Sequence, residues 1–313
     1  MASVESVTGP IDLDDLGTTL IHEHLKVRSE PSGEQYPHLY DEDEAFERVT
    51  KVARALVDQG VKTIGDPSCM FLGRDIRFMR RVAEETGLQV VPCTGIYTYD
   101  YLPPYFQTRD ADAMAACFVH DIETGIQGTE IKAAFLKCAV DEPGLTDDVE
   151  RVLRAVAQVS LKTGRPIMAH SQPATRRGLE IMDVFDDEGI DPRKVQIAHT
   201  GDTDDLDYIE ELLARGPWIG MDRYGLDIFL PTDQRNATVI ELCKRGYANR
   251  MTLSQDACAT MDWYPPELKP QLAPEWDFTF LWRGVLPALS DGGVSDDEID
   301  TMMRENPRAW LTA

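Results

Sequence analysis

His22 and His24 stand one residue apart at the end of an apolar, β-prone run, Thr18-Thr-Leu-Ile21. Along an extended strand, side chains at i and i+2 share a face. Both imidazoles are therefore expected on one side, with Glu23 turned away. Two neutral imidazoles meeting at a strand end form half of a transition-metal site. A His-x-His pair is too short a pattern to establish one by itself. What decides is whether other strands bring ligands to the same end. His170, His199 and Asp256 each close an apolar run, and Lys137 interrupts another, 131–140. Four imidazoles and a carboxylate exceed what one four-coordinate zinc ion takes, so two divalent ions are expected, and with them a bridging ligand. An ammonium is a donor only and cannot ligate. Burial lowers the pKa of an amine, and a neutral amine adds carbon dioxide to give a carbamate whose two oxygens span two ions. Lys137 is either this bridge or a buried lysine paired with an acid. His38, in a loop, and His120, on a helix, read as structural or surface residues.

The elements that must position these residues alternate along the chain. Helical periodicity covers 41–59, 74–86, 111–126, 147–163, 176–188, 204–215 and 234–245, and six of these segments are closed by Gly60, Gly87, Gly164, Gly189, Gly216 and Gly246, where a helix stop is expected. Between them lie strand-like runs at 61–65, 88–95, 131–140, 166–170, 194–199, 218–223 and 251–256. With the run that ends in the histidine pair, these make eight strand-then-helix units joined by short connections. Such alternation implies a parallel sheet, and eight units predict a closed (β/α)8 TIM barrel, a single domain over 1–313. An open doubly wound sheet is the alternative, but it would leave the first and eighth strands apart. In a barrel, all the strand ends above point into the C-terminal mouth, where barrel enzymes keep their chemistry. The remainder supplies a last barrel helix near 278–289 and a closing helix that starts at the capping pattern Ser295-Asp-Asp-Glu298. The run from Tyr97 to Phe106 is an aromatic loop, suited to wall a binding site or to pack over the mouth.

A chain of 313 residues is long enough for one large core. Lys and Arg number 31 against 55 Asp and Glu, a formal charge of −24. That field repels nucleic acid and anionic membrane, so neither is expected as a partner. No apolar run reaches membrane-spanning length and the start Met-Ala-Ser-Val-Glu has no signal-peptide pattern. The six cysteines are scattered without a Cys-x-x-Cys, as expected of reduced thiols in a cytoplasm.

With His22-Glu-His24, Lys137, His170, His199 and Asp256 in place, the sequence resembles the phosphotriesterase family of the amidohydrolase superfamily. The resemblance runs from Gly9-Pro-Ile-Asp12 to Glu305-Asn-Pro-Arg308. Leu136-Lys-Cys-Ala139, Glu142-Pro-Gly-Leu-Thr146, His199-Thr-Gly-Asp202, Gly220-Met-Asp-Arg-Tyr-Gly-Leu-Asp227 and Asp262-Trp-Tyr-Pro-Pro266 narrow it to the lactonase branch that opens N-acyl-homoserine lactones. Gln255 stands where many members have His, and Ser171-Gln172 where Thr-His is usual. The resemblance implies two divalent ions, zinc first, with cobalt, iron or manganese as alternatives. His22, His24 and Asp256 would hold the more buried ion, His170 and His199 the more exposed one, and carboxylated Lys137 would bridge them. It also implies that Asp256 moves the proton to the leaving alkoxide, that Tyr97 lies against the lactone ring, that Arg223 and Asp202 support the centre, and that Trp263, with Phe229 and Leu230, lines an acyl channel. A lactonase with side activity on phosphotriesters, acting as a homodimer in quorum quenching, is the expectation. A phosphotriesterase proper and a metal-bound barrel without activity are the rivals.

Overall fold

The computed structural model describes residues 3–313. Eight parallel strands follow one another in chain order: β1 (Thr18–Leu20), β2 (Val61–Asp66), β3 (Gln89–Gly95), β4 (Phe135–Val140), β5 (Ile167–Ser171), β6 (Val195–Ala198), β7 (Trp218–Met221) and β8 (Met251–Leu253). Seven helices return the chain between them: α1 (Glu42–Asp58), α2 (Ile76–Thr86), α3 (Ala111–Glu123), α4 (Asp147–Thr163), α5 (Arg177–Asp187), α6 (Leu206–Ala214) and α7 (Thr232–Lys244). The fold is the expected TIM barrel, and the boundaries moved by a few residues at most.

Local chemistry explains the starts and stops. Asp41, Asp75, Asp110, Thr146 and Asp205 each accept a backbone N–H from the first turn of the helix that follows. The six helix-stopping glycines all adopt the left-handed region. Ser295 and Glu298 form the anticipated reciprocal cap. In α4, Val149, Val152, Leu153, Val156 and Val159 lie on the face that meets the strands, and fully burying each such side chain contributes roughly 1.5–3 kcal/mol. The segment after Phe280 is less regular than its periodicity suggested. A π-turn at Leu281–Val285 precedes the helix Leu286–Asp291, and another at Thr301–Glu305 interrupts the closing helix. Asn306 is buried there and donates to Ala248 O (2.8 Å) and Met251 O (2.6 Å), tying the C-terminal helix to the foot of β8.

The barrel closes in a way the strand pattern did not show. No ladder joins β1 to β8. The two segments instead meet through single bonds: His22 N–H to Ser254 Oγ (3.2 Å), Asp256 N–H to His22 O (3.0 Å) and His24 N–H to Ala257 O (2.9 Å). Above this seam a separate parallel pair forms, His24–Val27 against Cys258–Met261, with Cys258 opposite His24. The histidine pair therefore does not ride on one continuous strand, because the chain bends at 21–23 and pairs anew from His24. Likewise the eighth strand ends at Leu253, and Asp256 sits beyond it at φ +50°. A short antiparallel pair, Ser3–Val4 with Ile11–Asp12, was also unforeseen, and Val7 N–H anchors it to Val90 O of β3 (3.0 Å).

Candidate metal centre

The strand ends converge as the barrel requires. His22 Nε2 and His24 Nε2 lie 3.3 and 3.2 Å from the same oxygen, Asp256 Oδ1. His199 Nε2 is 3.9 Å from Asp256 Oδ2. Among the described residues, His22, His199 and Asp256 form the tightest group, with ligand atoms all within 4.8 Å of one another. His170 stacks edge-on against His199 with ring centroids 4.6 Å apart. Lys137 Nζ, fully buried on β4, lies 3.5 Å from His22 Nε2. All six side chains line one cavity.

Each imidazole is held by a partner on its other nitrogen. Asp222 accepts from Nδ1 of both His22 (2.9 Å) and His199 (3.0 Å). Ser68 Oγ is 2.8 Å from His24 Nδ1, and Asp66 Oδ1 lies 3.7 Å from that nitrogen. These contacts place the ring hydrogen on Nδ1 and leave Nε2 free to face the centre. His170 is turned the other way: its Nε2 donates to Asp141 Oδ2 (2.5 Å), and Nδ1 faces the Tyr97 hydroxyl at 3.3 Å. Burial lowers the pKa of His22 and of His199, and brings that of His170 down to about 4, so these rings are neutral near pH 7. Burial also lowers the pKa of Lys137, and no carboxylate oxygen among the described residues lies within ion-pair distance of its Nζ. Burial alone would raise the pKa of Asp256, but His22, His24, His199 and Arg223 together hold it well below the usual carboxylate range. Neutral imidazoles converging on an ionised carboxylate fit a transition-metal ion.

Asp256 is set by its neighbours on the seam. The buried carboxylate of Glu23 points away from the centre, as expected, and accepts from the N–H groups on either side of Asp256: Gln255 N (2.7 Å) and Ala257 N (2.9 Å). Gln255 is held in turn, its side-chain oxygen accepting from Leu281 N–H (3.0 Å) and its carbonyl from Trp276 Nε1 (2.9 Å). Arg223 Nε donates to Asp256 Oδ2 (2.9 Å), and its Nη1 to Asp202 Oδ2 (3.1 Å). Asp202 stays behind this arginine, bound also by the fully buried Arg235 (2.6 Å), and does not line the cavity. Gly95 makes the floor possible. Its φ is +144°, and a Cβ there would lie 1.9 Å from Lys137 O.

The cavity, about 520 Å³ in volume, runs outward from the histidines. Tyr97, Phe229 and Trp263 border it, together with Leu72, Met261 and Trp276. Leu230 is placed elsewhere, buried beneath the mouth with its carbonyl accepting from Arg235 (3.2 Å). Tyr97 and Tyr99 join through their hydroxyls, and burial raises the Tyr97 pKa well above its ordinary value.

The model of the Phosphotriesterase family matches residues 2–311. The chain belongs to the phosphotriesterase family. It is 48% identical over 304 residues to an aryldialkylphosphatase of Saccharolobus solfataricus, covering 96% of this chain and 97% of that one. It is 44% identical over 316 residues to a phosphotriesterase homology protein of Mycobacterium tuberculosis, covering 98% and 97%. The solved phosphotriesterase structure from Mycobacterium tuberculosis superposes with a TM-score of 0.96 at 43% identity, over 99% of this chain and 98% of that one. This is a metal-dependent hydrolase family, and the chain is a hydrolase of that family.

Asp222, Asp141, Ser68, Tyr99 and Arg235 were missed in the sequence. Asp222 left a trace. It directly follows β7, as His199 directly follows β6.

The pKa shifts carry a stability consequence for the metal-free chain. His170 titrates near 6.5 when unfolded and near 4 when folded, so between those values the unfolded state binds more protons. Its stabilising contribution is present above pH 6.5 and is lost as the pH falls toward 4. From this residue alone, lowering the pH from 7 to 5 should remove on the order of 2 kcal/mol. Urea unfolding midpoints at the two pH values check this, and His170→Gln should flatten the difference.

Proposed function

We propose that this hydrolase acts chiefly on lactones, N-acyl-homoserine lactones among them, and turns over phosphotriesters slowly. The observation that carries this reading is the cavity. A lactone ring with an acyl tail needs a polar, cation-holding end continuous with an apolar passage, and the cavity runs from the histidines past Leu72, Met261 and Trp276. Tyr97 and Trp263, both lining it, lie against each other with ring centroids 6.2 Å apart.

In this reading His22, His24 and Asp256 would hold one divalent ion and His170 and His199 a second, with Lys137, as a carbamate, a ligand to both. Zinc is the first choice by ligand type, with cobalt, iron or manganese as alternatives. Such ions would supply Lewis acidity toward the carbonyl and bring the pKa of water toward neutrality. The reaction adds one water across the ring ester: a C–O bond forms at the carbonyl carbon, the ring C–O bond breaks, and the alkoxide needs a proton to depart. Asp256 is placed to accept the water proton and pass it to that alkoxide. Arg223 keeps Asp256 ionised and oriented, and Asp202 with Arg235 fixes Arg223. The Tyr97 phenol, protonated near neutral pH, can donate to a substrate oxygen. Trp263 and Phe229 wall the tail.

Phosphotriester hydrolysis as the main activity is favoured by one observation, that the Saccharolobus relative is an aryldialkylphosphatase. Catalytic efficiency on an aryl phosphotriester should be lower than on a long-chain homoserine lactone. The reading is lost if the phosphotriester is the better substrate against every lactone tried. We also propose a cytoplasmic homodimer: the cysteines are free thiols, five of them buried, and Tyr101 and Tyr105 expose 60% and 57% of their surface on the aromatic loop. Light scattering that gave a monomer throughout the micromolar range would refute the dimer.

Lys137 provides the sharpest check on the bridge. An unmodified ammonium beside two divalent cations faces a repulsion of several kcal/mol at low effective dielectric. Lys137→Ala should lose most bound metal and nearly all activity, and a short carboxylic acid added to the mutant should restore part of both. Lys137→Arg should not be rescued. Two ions per chain and normal hydrolysis in Lys137→Ala without added acid would leave Lys137 merely structural.

A further inference from the structure

Three groups orient imidazoles through their outer nitrogens. Ser68 serves His24 and Asp141 serves His170, one ring each. Asp222 serves two. Its Oδ2 accepts from His22 Nδ1 (2.9 Å), while Oδ1 accepts from His199 Nδ1 (3.0 Å) and from the His199 backbone N–H (2.8 Å). The carboxylate is fully buried, and its contacts with His199 and His22 hold it ionised despite burial. Resting on the binuclear assignment above, in which His22 and His199 bind different ions, we propose that Asp222 is a positioning residue that makes the two ion sites interdependent.

The physical reason is geometric. A carboxylate is planar, and its two oxygens move as one body. Rotating it to follow one imidazole withdraws it from the other, so the two rings share one orientation. Each Nδ1–H bond also fixes the tautomer and raises the basicity of the opposite nitrogen. The third bond falls on the His199 backbone at φ +65°, a left-handed conformation uncommon outside glycine. Space for the carboxylate comes from Gly220, where a Cβ would lie 2.3 Å from Asp222 Oδ2. His22 and His199 have ring centroids 4.9 Å apart, so a shift in one is felt by the other through both the carboxylate and direct contact.

Asp222→Asn keeps the volume but presents one acceptor and one donor, so it can satisfy only one of the two rings. Gly220→Ala keeps the carboxylate and its charge but pushes on Oδ2. Both variants should be stripped of metal and reloaded with zinc, then measured by metal content per chain and by competition with a chelator, with circular dichroism to verify the barrel. Both ions should be weakened together, each by roughly 10–100-fold. Ser68→Ala and Asp141→Asn, which touch one ring each, should weaken one ion more than the other. Weakening of a single ion in Asp222→Asn, or unchanged affinity for both, would overturn the proposal. If neither Asp222→Asn nor Gly220→Ala keeps the barrel, Asp222 is a structural residue and the proposal falls. A wild-type chain that holds fewer than two ions would instead refute the binuclear assignment, a failure seen before any residue is changed.

Discussion

The closure of the barrel between its first and last strands is the constraint on which the centre depends. A regular ladder there would leave Asp256 in extended backbone, its side chain following the alternation of the strand. Glu23 replaces that ladder by accepting from the N–H groups of Gln255 and Ala257, on either side of Asp256. The residue between them is driven to φ +50° and its carboxylate meets His22 and His24. An ionised carboxylate in a buried position is costly unless its oxygens are filled, and here both are. The middle residue of the His-x-His pattern thus does as much for the site as its neighbours, by acting on the opposite strand.

Burial sets the electrostatics of the cluster, and the partners decide which groups keep charge. His22, His170 and His199 lose affinity for protons because an imidazolium cannot be solvated there. The carboxylates of Asp222 and Asp256 keep their charge because imidazoles, and for Asp256 also Arg223, surround them. Arg223 is held between Asp202 and Asp256, and those two acids outweigh the cost of its burial. The result is a set of neutral donors and fixed anions that favours cations at the centre, within a protein whose overall charge of −24 already discourages anionic partners.

The mouth is built on loops that are themselves tethered. Trp263 follows Asp262, whose carboxylate accepts from Ser29 N–H (2.9 Å) and from the Tyr40 hydroxyl (2.5 Å). The loop after β8 is thereby fastened to the loop after β1, across the same seam that Glu23 closes lower down. Phe229, on the loop after β7, lies under the Arg223 guanidinium at 4.7 Å. The aromatic wall of the cavity and the polar group that grips Asp256 are therefore in contact.

The sequence by itself determined the architecture and the residues at the strand ends. Eight alternations of strand and helix, each with a cap or a terminal glycine, are local patterns, and so are His22, His24, His170, His199 and Asp256 at the ends of apolar runs and Lys137 within one. What supports those side chains was not legible. Asp222, Asp141 and Ser68 act on histidines from other strands, and no spacing along the chain encodes a contact between β7 and β1. The break in the first strand was hidden for the same reason: local propensity favoured a continuous run through His24, and the competing bonds come from residues 254–257, more than two hundred positions away in sequence. Leu230, expected in the channel from the resemblance, instead has its carbonyl held by Arg235, a residue that became a buried anchor only once α7 packed on the turn at 200–202. Local periodicity is a property of neighbours in sequence, whereas orientation of a ligand is a property of neighbours in space, and only the closed barrel supplies those.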